Sequence, residues 1–157
     1  MKHFINSYRI ETARFSAPGM TQPVVVLFDN DSGGKPIQAV VKDITKQQVT
    51  PPFLRVVKNL YAMPTPLSAG ASESKIEDFF DAAATPYNGK AFHDGPGFDG
   101  TKHIGKQIFA HRVVRPNAAT INFDGFKPLL DSIVAIIKTH KATSASAPTG
   151  QPPSASP

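Results

Sequence analysis

An α/β fold, with a short and mainly parallel sheet flanked by helices, is predicted by three observations. The apolar run Val24–Phe28, bounded by Pro23 and Asp29, reads as a strand buried on both faces. Directly after it, Ile37, Val40, Val41 and Ile44 recur at i, i+3, i+4 and i+7, the stripe of a helix lying on a sheet. Further strand-like and helix-like segments then follow in turn, as α/β chains require.

Each element has its own signal. Phe4, Ile5, Tyr8, Ile10 and Phe15 outline a first helix, cut short by Ala17-Pro18-Gly19. A domain opening in mid-helix points to sequence upstream. After Val24–Phe28 comes the polar turn Asp29–Gly34, and Pro36 starts the next helix where its missing N–H costs nothing. Phe53–Val57 and Leu60–Met63 read as strands joined by a Lys58-Asn59 turn, and Pro64-Thr65-Pro66 ends the second. Ser74 opens a helix over 75–84 that Pro86 closes. The loop Asp94-Gly95-Pro96-Gly97 leads into a helix from Thr101 to Val114, with Ile104, Ile108 and Phe109 inward. Asp124 caps a last apolar helix carrying Phe126, Leu129, Leu130, Ile133, Val134 and Ile137.

The 157 residues suit one domain. Residues 1–138 are assigned to it. From Thr139 to Pro157 no large apolar residue occurs, so 139–157 is expected to be a disordered Pro/Ser/Ala-rich tail. No apolar stretch approaches the ~20 residues of a membrane span, and no basic-then-apolar leader is present. With no Cys, disulfides, zinc ribbons and thiol nucleophiles are excluded, and the expected compartment is the cytoplasm. A net charge of +5 suits a polyanionic partner, but the basic residues are scattered, so charge alone leaves a solvated surface equally open.

Three clusters carry chemistry. Asp29 and Asp31 lie two apart where a strand meets its loop, so they share a face at the carboxyl edge of the sheet. Paired carboxylates suit Mg²⁺ or Mn²⁺, whereas a plain reading makes them turn formers. Glu77 and Asp78 are candidate ligands too, although Ser74-x-x-Glu77 also spells a capping box. Lys106 could meet a phosphate charge, although most helical lysines are simply solvated. The five His residues show no His-x-x-x-His spacing, and phosphate-loop, dinucleotide and Gly-x-Ser-x-Gly motifs are absent.

In order, the segments PVVVLFDNDSGG (23–34), NLYAMPTP (59–66), SKIEDFFD (74–81), GKQIFA (105–110), VVRPN (113–117) and INFDGFKPLL (121–130) resemble a known pattern. They are similar to the C-terminal region of bacterial retron reverse transcriptases, which resembles a Toprim domain of the overcoming-lysogenization-defect (OLD) nuclease type. The resemblance spans about residues 1–138. It implies a Toprim-like fold and Mg²⁺-dependent phosphodiester chemistry on nucleic acid, DNA or retron RNA/DNA, in defence against phage. It assigns Asp29 and Asp31 to the Asp-x-Asp metal motif, Glu77 with Asp78 to the later acidic motif, and Lys106 to a catalytic lysine near the scissile phosphate. The Toprim first strand with its Glu is missing, since Arg9-Ile10-Glu11-Thr12 does not match it. No polymerase motif occurs either. The resemblance thus implies a fold incomplete at its N-terminus, whose partner is the upstream reverse-transcriptase part.

Three functional classes remain. One is a metal-dependent nuclease-like module, inactive or incomplete alone. The second is a non-catalytic module binding nucleic acid or a partner. A remoter third is phosphotransfer through Asp29.

Overall fold

A computed structural model describes residues 1–14, 20–50, 52–81 and 86–145. Its elements are α1 (Lys2–Arg14), β1 (Val24–Phe28), α2 (Lys35–Thr45), β2 (Leu54–Val57), β3 (Leu60–Pro64), a 3-10 turn (Ile76–Phe79), β4 (Ala91–Phe92), β5 (His103–Ile104), a mixed helix α3 beginning at Lys106, and α4 (Lys127–Ala145). The expected helix breaker 17–19, with Phe15, lies outside the described residues.

The class is α/β, and the main sheet is mixed rather than mainly parallel. Its order is β1-β3-β2, with β1 parallel and β2 antiparallel to β3. The short β2–β3 connection explains the antiparallel pair: Lys58 takes φ 50°, so a tight turn forms without glycine. Every residue of β3 is buried, as befits the central strand. β1 lies at an edge, yet both its faces are packed.

Alternation of side chains divides the core in two. Val26, Phe28, Val56, Leu60 and Ala62 face α1 and α2, meeting Ile5 and Val41. On the opposite face Tyr61 and Met63 meet Phe79, Leu129 and Ile136, so α4 covers that side. The result is helix, sheet, helix in three layers. Asn59 ties α1 to the start of β1: its amide donates to the Gln22 carbonyl at 2.7 Å and its oxygen accepts from Tyr8 at 2.8 Å.

Several expectations from the sequence change. Where a helix over 75–84 is expected, the chain makes the 3-10 turn Ile76–Phe79 and then breaks, because Phe80 is extended (φ −96°, ψ 120°); residues 82–84 lie outside the described residues. This break sends adjacent rings apart: Phe79 enters the second core cluster, while Phe80 packs on a third built from Ile104, Phe109 and Val113. The helix expected from Thr101 begins at Lys106, since His103–Ile104 pairs in parallel with Ala91–Phe92 and Gly105 is extended. Past Ile108 the chain widens into a π-helix over Phe109–Val114 and tightens over Arg115–Asn117, burying Phe109 and Val113 while Ile108 stays outside at 46 % exposure.

α4 brings the remaining corrections. Its buried stripe is Leu129, Ser132, Ile136 and His140, whereas Leu130 and Val134 face out. The helix also continues through Thr139 to Ala145, so 139–145 is not tail. The physical reason is His140, only 2 % exposed: one ring nitrogen meets the Tyr61 hydroxyl at 3.2 Å and the other the Met20 carbonyl at 2.7 Å. Composition hid this, because His140 buries through hydrogen bonds rather than apolar bulk. Residues 146–157 lie outside the described residues.

Candidate functional site

The carboxyl end of β1 is tied to two other segments by a polar knot. Thr65, just past β3, donates its hydroxyl to the Ser74 carbonyl at 2.8 Å and accepts the Asn30 N–H at 2.9 Å. Asn30 and Ser74 also pair through their backbones, Asn30 N–H to Ser74 O at 2.8 Å and the reverse bond at 3.0 Å. Ser74 is therefore consumed in a buried junction and caps nothing. The capping carboxylate is that of Asp78, which accepts the Lys75 N–H at 2.8 Å.

This junction sets Glu77 near Asp29. Oδ1 of Asp29 accepts the Ile76 N–H at 3.2 Å, and its Oδ2 lies 3.7 Å from Lys106 Nζ. Gly34 backs Asp29 so closely that a Cβ there would stand 2.1 Å from the Asp29 carbonyl oxygen. Only glycine allows that approach.

Lys106 stands among three carboxylates. Its ammonium is 3.1 Å from Glu77, 3.3 Å from Asp94 and 3.7 Å from Asp29. Asp94 also holds Lys75 Nζ at 2.7 Å, which bridges the two lysines. Burial opposes ionisation of Asp94, but hydrogen bonds from Lys75 and Lys106 outweigh it and hold its carboxyl below the ordinary range. Burial likewise disfavours the Lys106 ammonium, yet its bonds to Glu77 and Asp94 prevail and raise its pKa. Lys75 is raised chiefly by its hydrogen bond to Asp94.

Of the five residues singled out by sequence, Asp29, Glu77 and Lys106 come together. Asp31 and Asp78 do not join Lys106. Asp31 turns to the start of α2, where its Oδ1 accepts the Gly34 N–H at 3.1 Å, and Asp78 caps the 3-10 turn. Sequence reasoning missed Asp94 and the ion-pairing role of Lys75. The loop 94–97 was visible as a Gly-rich connection, but nothing local said where its carboxylate would fall.

Beside the polar centre lies a cavity of about 480 Å³, walled by Phe28, Ile37 and Ile76 and edged by Asp29 and Asp31. As a metal centre, the donors have the right chemistry. Asp29, Glu77 and Asp94 offer hard carboxylate oxygens converging on one cation. The cation they now surround is the Lys106 ammonium, and among the described residues no three acidic or histidine side chains are spaced as a ready metal cage. No helix among the described residues is long and apolar enough to cross a membrane. No protein-family model matches the chain, and no solved structure matches it.

Proposed function

We propose that the chain is a nuclease-like module of the Toprim/OLD type, from a retron-type reverse transcriptase acting in cytoplasmic phage defence. It cleaves nucleic-acid phosphodiesters with Mg²⁺ or Mn²⁺. The observation that carries this reading is the meeting of Asp29, Glu77 and Lys106 at the carboxyl end of β1.

Asp29 and Glu77, with Asp94 beside them, are the residues that would hold a divalent ion. Such an ion supplies an activated water and neutralises phosphate charge. The chain's own groups do the rest. The Ile76 N–H grips one oxygen of Asp29 and leaves the other facing Lys106. Lys106, 46 % exposed on a flexible stem, can exchange a carboxylate for a phosphate oxygen and meet the charge that develops there.

The test is cleavage of labelled single- and double-stranded DNA in Mg²⁺ and Mn²⁺ by the wild type, Asp29→Asn and Lys106→Met, repeated with the upstream reverse-transcriptase part added. Metal-dependent cleavage lost in both variants is expected, alone or on complementation. Cleavage undiminished in Asp29→Asn would sink the reading.

One observation favours the second reading, a non-catalytic binding module. Lys106 and Lys75 already neutralise most of the acidic cluster, as a structural ion-pair network would. That module would bind nucleic acid in a salt-sensitive way, indifferent to chelator and to Asp29→Asn.

A further inference from the structure

The segment 100–123 contains no Asp or Glu, although it carries Lys102, Lys106, Arg112 and Arg115. Arg112 and Arg115 are exposed on the same helix as Lys106, six and nine residues beyond it. None of the ion pairs among the described residues involves either guanidinium. The other end of this helix has a different feature. Phe98 is 51 % exposed, and its ring edge would lie 3.8 Å from a Cβ on Gly105, the residue before Lys106. Its ring centroid is 6.0 Å from that of His103. An apolar ring held open to water costs hydration free energy, and this one lies against Gly105, the residue that precedes Lys106.

We infer that this surface is a track for single-stranded nucleic acid, with Phe98 stacking one base beside Lys106 while Arg112 and Arg115 take backbone phosphates. The occupant follows from the chemistry. Unpaired guanidiniums in an acid-free segment match a polyanion, and an exposed ring matches a base face. A duplex keeps its bases stacked inside and has no free face for Phe98, so the strand must be single. The inference rests on the nuclease-like reading for its substrate class and adds the strand form and the residues that receive it.

The test is fluorescence anisotropy of the full chain in EDTA, with a labelled oligothymidylate of about 15 nucleotides, the same strand in duplex, and oligouridylate as the RNA arm. The salt range is about 50 to 200 mM. Single strands are expected to bind more tightly than duplex. Phe98→Ala should weaken them by about 5- to 150-fold, and Phe98→Trp should restore binding. The pair Arg112→Gln and Arg115→Gln should lower the salt slope by about 1.4, whereas Lys at both positions should retain it. Because these side chains are exposed, unchanged melting temperatures will show that the variants are folded. Single-strand binding unaltered in Phe98→Ala, or a preference for duplex, would overturn the track. Asp29-dependent cleavage of duplex without single-strand binding would do so too, while leaving the nuclease reading intact. Phe98-dependent binding without cleavage would keep the track and remove the nuclease reading.

Discussion

Lys106 and Glu77 meet at 3.1 Å across 29 positions of sequence. The contact joins the helix after β5 to the 3-10 turn after β3, and the Thr65–Ser74 junction fixes that turn against β1. Two lone candidates in the sequence thereby become one polar centre.

Glu77 and Asp78 are neighbours with separate tasks, and substitution separates them. Glu77→Gln is expected to lower metal-dependent cleavage by about 100-fold or more, since the proposed ligand and the partner of Lys106 are both lost. Asp78→Ala should leave cleavage within about threefold and cost about 0.5–2 kcal/mol through the lost cap. Initial rates and urea melts on the same two variants check this, and equal loss of activity in both would contradict it.

Acid should weaken the polar centre through Asp94. Its folded pKa lies below the ordinary 3.8, so its stabilising contribution is present above that value and is lost as pH falls through the depressed folded pKa. Asp94→Asn should therefore flatten the acid side of the stability profile. Urea midpoints of both proteins between about pH 2.5 and 6 make the comparison. Parallel profiles would rule out the proposed contribution.

His140 is expected to be a main anchor of α4. His140→Ala leaves the buried Tyr61 hydroxyl without its partner, at about 1–3 kcal/mol, and removes the bond to the half-buried Met20 carbonyl. A chain ending at 138 should likewise melt well below one ending at 145. Thr143→Ala, on the exposed side, serves as the control and should change stability by no more than about 0.5 kcal/mol.

Gly34→Ala should disturb both stability and site. Its methyl would overlap the Asp29 backbone oxygen, so α2 or the end of β1 must shift, at about 1–3 kcal/mol. Gly33→Ala is milder, because its nearest neighbour is the movable Asp31 carboxylate at 3.1 Å. Thermal melts of the two variants, with cleavage rates beside them, distinguish these effects.

The sequence by itself determined the elements whose signals are local. The run Val24–Phe28, the Pro36 helix start with its stripe Ile37–Ile44, and the two strands before Pro64-Thr65-Pro66 emerge nearly as read. In each, apolar period and chain-stiffening residues agree. It also supplied Asp29, Glu77 and Lys106 as candidates.

Tertiary structure decided everything that depends on distant partners. Phe80 leaves the helical path and packs beside Phe109 and Phe126, with ring centroids 5.6 and 4.7 Å away. His103–Ile104 becomes a strand because Ala91–Phe92 lies alongside, and α4 runs on past Thr139 because Tyr61 receives His140. Asp94 joins the site, and Asp31 leaves it, for the same reason. Where a carboxylate points depends on which ammonium or backbone N–H the fold brings within hydrogen-bond reach, and local spacing carries no record of that.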